Sequence, residues 1–483
     1  MIPILHCTDF YKTGHRQQFP KGTQFIYSNM TARDSRLPDI KEIKFFGLQY
    51  FIQEYLINQF KNTFFNLPKR YAIDIYQQRL NTALGPDAVP IDHIEELWNL
   101  QYLPIRIKAL PEGTSVPIQV PFLTIENTHP NFYWLTNYIE TMMSATLWGP
   151  CTSATIAHEY RKTFEQYAEL TGADKNFIPW QGHDFSFRGM YGIEAAMLSG
   201  AAHLLSFTGT DIIAAIDFLE TYYKANARQE LIGGSVPATE HAVMCASGDE
   251  EQTFRHLLTE VYPKGIVSVV SDTWDFWRII GEVLPKLKDV ILARDGKLVI
   301  RPDSGDPVDI LTGDDNYTHG TLQGDGLIRS LWNEFGGTVT DKGYKVLNSH
   351  VGAIYGDSIT LDRQKQILFR LNQQGFASSN VVLGIGSFTY QYVTRDTFGF
   401  AVKATHCIIN GESRDIFKAP KTDSAKNSHR GLLAVHKGND GLYVKQNVSR
   451  EEEQEGLLEV VFENGILLRL QNLAEIRNRI NNS

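Results

Sequence analysis

The stretch Leu298-Val-Ile-Arg-Pro-Asp-Ser-Gly-Asp-Pro307 sets three apolar residues directly against Arg301, Pro302, Asp303, Ser304 and Gly305. It reads as a buried strand whose last residues turn polar at once. An α/β protein presents a binding site in this way, because a rigid strand carries polar groups to its C-terminal edge. Arginine offers a fork of donors for phosphate or amide oxygens. The aspartate two residues later can accept from sugar hydroxyls.

Working outward, the same rhythm recurs. Apolar runs at 203–207, 231–237, 266–270, 351–355 and 381–383 end in Thr208-Gly-Thr-Asp211, Thr239-Glu-His241, Ser271-Asp272, Gly356-Asp357 and Gly384-Ile-Gly-Ser387. Helical patterns at 212–225, 251–261, 274–284 and 361–374 separate several of them. Strand, polar tip and helix in series predict a parallel sheet with crossovers. The number of units favours an irregular (β/α) barrel over 151–399. Residues 1–150 mix strand-like pieces (25–28, 103–108, 116–126) with helical ones at 46–57 and 133–147, and a further helix is expected at 153–170. The tail is strand-rich from 404 to 470 and ends in a short helix at 473–480. The fold class is therefore α/β, a barrel plus a second, mostly β domain formed by 1–150 with 400–483. The polar segment 312–326 reads as a solvated excursion whose acidic residues do not fit calcium-loop spacing.

At 483 residues the chain exceeds one minimal core. A hydrophobic content of 42% and a charged content of 21% are those of a globular protein. The net charge of -9 argues against a nucleic-acid binder but leaves room for an anionic substrate met by local basic clusters. Cys7, Cys151, Cys245 and Cys407 are scattered, which disfavours a disulfide framework or a zinc site. No apolar run is long enough to span a bilayer and the N-terminus lacks a secretory pattern, so a cytoplasmic protein without membrane partners is expected.

Several side chains at the strand tips have two readings. His241 follows Ser235-Val-Pro-Ala-Thr-Glu240 at the same expected edge as Arg301, and a histidine there can act as acid, base or nucleophile. A lone histidine is otherwise usually structural. Asp211 fits a helix N-cap before Ile212 as well as a ligand-facing carboxylate, and spacing favours the cap. Gly384-Ile-Gly-Ser387 suits phosphate late in a barrel, although glycine also serves tight turns. Lys403, Lys418, Lys421, Lys426 and Arg430 form either a solvated face or an anion site. His183-Asp-Phe-Ser-Phe-Arg-Gly189 joins aromatics to an arginine, as a flat ring near a phosphate would require. The sum is a phosphate-containing, sugar-bearing ligand at a barrel edge.

The chain also resembles the nicotinamide phosphoribosyltransferases, a family of type II phosphoribosyltransferases. The resemblance runs through Thr8-Asp-Phe-Tyr-Lys12, Phe46-Gly-Leu-Gln-Tyr50, Tyr133-Trp-Leu-Thr-Asn137, His183-Asp-Phe185, Gly209-Thr-Asp211 and Ser235-Val-Pro-Ala-Thr-Glu-His241. It continues through Val267-Ser-Val-Val-Ser-Asp272, Ile300-Arg-Pro-Asp-Ser-Gly305, Gly356-Asp357, Thr394-Arg-Asp396 and Ile416-Phe-Lys418. It implies phosphoribosyl transfer from phosphoribosyl pyrophosphate to nicotinamide, a Mg²⁺ requirement, and ATP as co-substrate through phosphorylation of His241. It also implies a homodimer with shared active sites. Phe185 and Tyr11 would sandwich the nicotinamide ring, Tyr11 coming from the partner subunit, and Asp211 would accept from the carboxamide. Arg301 and Asp303 would bind the nucleotide, with Gly356 and Asp357 near the ribose. Gly386, Ser387 and Arg395 would hold the 5′-phosphate. Arg188 and His241 would face pyrophosphate, while Arg33, Lys403, Lys418 and Lys426 would reach phosphates from the other subunit. The resemblance thus makes His241, Asp211 and Asp303 the catalytic candidates and names no metal ligand. One departure is Gly386-Ser387-Phe388, where relatives carry a glycine run. The rival readings are a nicotinic acid phosphoribosyltransferase, against which Asp211 argues, another sugar-phosphate barrel enzyme, and a non-catalytic binding protein on the same fold.

Overall fold

The computed structural model describes residues 2–418 and 428–482. The chain divides into two compact units. One comprises Met1–Thr155, Leu219–Ala225 and Thr394–Ser483, the other Ile156–Phe218 and Asn226–Val393.

The second unit contains a six-stranded, all-parallel sheet. Its order is Gly209–Thr210, Gly182–Asp184, Val381–Ile385, Val351–Tyr355, Asp295–Arg301, Lys264–Val270. Leu298, Ile300, Val267, Val269, Leu383 and Ile385 are almost wholly buried, as a sheet covered by crossover helices requires. The segment 233–239 touches both edges of this sheet through single bridges, Gly234 with Gly209 and Ala238 with Ser268. Backbone bonds fix those bridges: Thr210 N donates to Gly234 O at 2.9 Å and Thr239 N to Ser268 O at 3.0 Å. The sheet therefore curls into the expected irregular barrel.

Two of the six runs read as strands take other forms. Of residues 203–207, His203 ends the helix Ile193–His203 and 204–206 form a turn, and 231–237 contributes a single bridge at Gly234 but no ladder. The strand Gly182–Asp184 occupies the place instead. His203 to Phe207 is buried on every side, and so short a run with every residue buried has no periodicity that separates strand from helix end. The strand Gly182–Asp184 was hidden because two of its three residues are polar.

In the first unit, N- and C-terminal strands share one antiparallel sheet. Thr23–Thr31 lies between Ala401–Ile409 and Pro121–Asn127, and Ile105–Ala109 pairs with Glu459–Glu463. This is the mostly β partner that the alternating patterns require. The two helices expected at 133–147 and 153–170 form one continuous helix, Leu135–Thr171, with Pro150 inside it. Proline deletes one backbone donor and ordinarily breaks a helix. Here Met143, Leu147, Cys151, Ala154 and Ala157 are buried on one continuous face, and that burial outweighs the lost bond. The segment 312–326 is only partly a loop. Thr312 ends the helix Pro307–Thr312, and Leu322 starts another that Thr321 caps on Gly324 N. Among the described residues no helix is long and apolar enough to cross a membrane.

Candidate active site

The strand ends of the barrel gather most of the expected residues. Strand Gly182–Asp184 carries His183 to the rim and continues into Phe185, whose N–H donates to Ile385 O at 3.0 Å. The neighbouring strands leave room for that ring. A Cβ on Gly384 would lie 2.4 Å from Phe185 Cδ2, and one on Gly356 would lie 3.3 Å from both Phe185 and Asp303 Oδ1. At Gly384 the close approach of the aromatic ring leaves no room for a side chain, while at Gly356 a Cβ would be tight against the ring.

Asp211 follows the strand Gly209–Thr210. Its Oδ1 is 2.8 Å from His183 Nε2 and accepts from Ser235 Oγ at 2.6 Å. The backbone N–H of Ile212 donates to Thr210 Oγ1, so the cap reading of Asp211 gives way to a rim carboxylate. Burial alone would raise its pKa, but the bonds from His183 and Ser235 and the charge of Arg301 outweigh it and hold the carboxyl below the ordinary range. Both protein partners use Oδ1, which leaves Oδ2 for a ligand.

Arg301 closes strand Asp295–Arg301. Its Nη2 donates to Thr239 O at 2.7 Å, while the buried Nε has no partner among the described residues. Beyond it, Asp272 Oδ2 accepts from Asp303 N at 2.9 Å and Ser304 Oγ at 2.6 Å. Asp272 thereby fixes the turn that displays Asp303. His241 opens the helix His241–Ser247. Its Nδ1 meets Thr273 Oγ1 at 3.2 Å, and its Nε2 stands 3.7 Å from Asp272 and 4.0 Å from Asp303. Tyr355 donates to Gly305 O at 2.8 Å. Burial first, and then the charges of Asp357, Asp272, Asp303 and Asp306, raise its pKa, which reports a negative field on this side of the rim. At the turn Gly384-Ile-Gly-Ser387, a Cβ on Gly189 would fall 1.9 Å from Ser387 Oγ, so the backbone beside Arg188 packs directly against Ser387.

A cavity of about 400 Å³ runs into the barrel from this rim. His183, Phe185, Asp211, Ser235 and Arg301 line its polar part, and Val299, Val351 and Val381 line its interior. Such a concave, mostly apolar space with a few convergent polar groups is the form of a small-molecule site. Lys297 also lines it, and burial lowers its pKa.

The first unit assembles a separate set. Lys403 lies within the field of Arg33, Lys418 and Arg395. Burial and these three cations hold it below the ordinary lysine range, against the opposing charge of Glu140. Tyr11 is exposed and senses the same groups: burial, Glu140 and Asp9 raise its pKa, and Arg395 lowers it. Lys12 neutralises Glu140 at 2.6 Å. Lys421 and Lys426 lie outside the described residues.

Sequence reasoning passed over four residues that the structure makes important. Asp272 was visible only as a strand tip, His183 as a base beside aromatics with no role of its own, Ser235 as a motif letter, and Lys297 not at all. Their position at strand ends was the available signal for the first three. Asp184, wholly buried behind the rim, also escaped notice. Burial raises its carboxyl to about 6, against the backbone bond from Ser186. An acid raised by folding carries no penalty below its unfolded value and the full penalty above its folded one. Stability should therefore fall as pH rises from about 4 to about 7, by about 2 kcal/mol from this group. Thermal unfolding of Asp184→Asn at the two pH values should lack that share of the slope; an identical slope would show that Asp184 is not the group responsible.

Comparison with known proteins matches this architecture. The nicotinate phosphoribosyltransferase (NAPRTase) family model fits residues 180–466, and the model for the N-terminal domain of nicotinamide phosphoribosyltransferase fits residues 3–77. A protein of Acinetobacter baylyi named nicotinamide phosphoribosyltransferase is 52% identical, over 99% of this chain and 97% of its own length. One of the same name from Mycoplasma genitalium is 36% identical over 89% of this chain and 94% of its own. The crystal structure of nicotinate-nucleotide pyrophosphorylase from Pyrococcus furiosus superposes with a TM-score of 0.59 at 14% identity, covering 99% of this chain and 95% of that one, a likeness of fold. The chain is a phosphoribosyltransferase and belongs to the nicotinate phosphoribosyltransferase (NAPRTase) family.

Proposed function

We propose that this enzyme transfers the phosphoribosyl group of phosphoribosyl pyrophosphate to nicotinamide, giving nicotinamide mononucleotide and pyrophosphate, as a cytoplasmic homodimer in NAD salvage. The observation that carries the reading is Asp211, held through one oxygen at the mouth of the cavity with the other left for a carboxamide N–H. The name borne by the relatives supports it.

The reaction is a displacement at the anomeric carbon. The pyridine nitrogen forms the new bond to C1′ as the bond to the pyrophosphate oxygen breaks, and positive charge builds on the ribose between them. The protein has to align the ring and stabilise the departing anion. Phe185 stacks one face of the ring, with Tyr11 of the partner subunit on the other. Asp211 orients the carboxamide. Arg301 binds the nucleotide, while Asp303, Gly356 and Asp357 hold the ribose side. Gly386, Ser387 and Arg395 receive the 5′-phosphate. Arg188 and His241 face pyrophosphate, and the cationic set Arg33, Lys403, Lys418 and Lys426 reaches over from the partner subunit to pyrophosphate or ATP phosphates. Supporting the homodimer, Tyr11 is exposed on the unit that also gathers this basic set, and Tyr191 and Tyr392 of the barrel unit are 87% and 81% exposed. Aromatic groups left this bare suit a protein partner.

Mg²⁺ belongs to the same reading. Among the described residues no three His, Cys, Asp or Glu side chains converge as a metal cage. The carboxylates around Tyr355 are hard oxygen donors, suited to an ion that arrives with phosphates. Asp303 and Asp357 would hold it, and it would neutralise charge on the leaving pyrophosphate.

Turnover of nicotinamide and nicotinate, each with phosphoribosyl pyrophosphate and Mg²⁺, tests the assignment. kcat/KM should favour nicotinamide by about 100-fold or more. Preference for the acid would give the assignment to the acid-specific rival. His241, proposed to take a phosphoryl group from ATP, has Nε2 near two carboxylates and is 45% exposed. His241→Ala should abolish stimulation by ATP and weaken basal transfer by about 10- to 100-fold. Unchanged kinetics would remove it from the mechanism.

A further inference from the structure

Asp211 is not the whole of the amide-recognising device. His183 Nε2 lies 2.8 Å from Asp211 Oδ1, and Ser235 donates to that same oxygen. With Nε2–H donating to the carboxylate, the other ring nitrogen, Nδ1, makes no hydrogen bond among the described residues. It stands over Gly209, where a Cβ would be only 2.8 Å away. The imidazole can therefore accept a second proton without giving up its bond to Asp211. Both residues line the cavity, and the imidazole also packs on Phe185, with ring centroids 4.6 Å apart.

We propose that His183 is a specificity-determining positioning residue. By holding or releasing one proton against Asp211, it sets how strongly the enzyme prefers a carboxamide to a carboxylate. The inference rests on the nicotinamide reading above. With His183 neutral, the pair carries one negative charge: it accepts from an amide N–H and repels a carboxylate. With His183 protonated, the pair is neutral overall and that repulsion is largely cancelled.

The charged groups facing His183 are few. Asp184 is next to it on its own strand, and Asp211 follows directly on the adjacent strand. His203, buried beneath, is pushed down to about 3 by burial and then by His183 itself, so it stays uncharged. Arg301 acts on Asp211 from a further strand, and Lys297 lines the same cavity. The other neighbouring strand, Val381–Ile385, carries no titratable side chain. The bridging segment contributes Ser235.

The test is the ratio of kcat/KM for nicotinamide to that for nicotinate, measured from pH 5.5 to pH 8.5. The ratio cancels every ionisation shared by the two reactions, including those of phosphoribosyl pyrophosphate and His241. Nicotinate stays ionised throughout this range. The wild-type ratio should fall at least about tenfold toward acid, as one charge of the pair is neutralised. His183→Gln keeps an N–H donor but cannot become charged, so its ratio should be flat with pH. Ser235→Ala removes a bond to Asp211 without removing the proton, so its ratio should keep the wild-type slope. A pH-independent wild-type ratio would overturn the inference without any variant, as would a His183→Gln ratio that follows the wild-type slope. Preference for nicotinate across the whole range would instead refute the nicotinamide reading itself, so the two failures are distinguishable.

Discussion

Asp211→Ser should lower kcat/KM for nicotinamide by about 100-fold while raising that for nicotinate, so that the ratio moves by about 10³ or more. The physical basis is one charge at short range. A ligand carboxylate at the carboxamide position would lie within hydrogen-bond distance of Asp211, and two unit charges about 4 Å apart in an effective dielectric of about 20 repel by about 4 kcal/mol. At 1.4 kcal/mol per factor of ten, that alone is close to 10³. The carboxylate is ionised at neutral pH because His183, Ser235 and Arg301 together outweigh its burial. The serine neither accepts from the amide with the same strength nor repels the acid. Steady-state kinetics with both substrates gives the ratio directly. A change of less than about tenfold would place discrimination elsewhere in the cavity.

Arg301→Ala should cost about 10³ in kcat/KM for phosphoribosyl pyrophosphate, with most of the loss retained in Arg301→Lys. Arg301 ends a central strand, so its Cα cannot shift, and one arm of the guanidinium is tied to Thr239 O at 2.7 Å. That bond fixes the plane of the fork, and the buried Nε remains without a protein partner. A donor held in advance toward a developing or departing anion is worth far more than a mobile one. Lysine cannot reproduce the planar fork or keep the Thr239 bond while also reaching the ligand. Melting temperature separates the two possible costs. The alanine variant should melt close to wild type if the arginine serves the ligand. A large drop in melting temperature with kinetics only slightly changed would show that Arg301 mainly braces Thr239.

The basic residues far apart in sequence illustrate what patterns cannot supply. By residue pattern alone Lys403 and Lys418 read as either a solvated face or an anion site, and only the first unit's fold sets the fields of Arg33, Arg395 and Lys418 on Lys403. Asp211 is the reverse case. As sequence it is a good helix cap, but in the structure Thr210 Oγ1 accepts from Ile212 N, and Asp211 Oδ1 instead meets His183 and Ser235 from two other segments. The run at 203–207 shows a third kind of limit. Burial on all sides erases the period on which strand and helix are told apart, so Gly182–Asp184, polar and short, could take the strand position unannounced.

The sequence by itself determined the series of apolar runs with polar tips, and so the parallel barrel, the second β-rich part, and the chemical types gathered at one edge. These are local matters: a strand's hydrophobic run and its first polar residues are contiguous in the chain. What only the tertiary structure decided is which oxygen of Asp211 its protein partners take, that Asp272 holds the turn bearing Asp303, and that Arg301 is pinned by Thr239. Each depends on partners 24 to 62 residues away, brought together by strand register. The stretch from Leu298 to Pro307 marks the division. Its strand and its polar end are written in ten residues, while the direction in which Arg301 and Asp303 point is set by the neighbouring strand and the segment that bridges the barrel's edges.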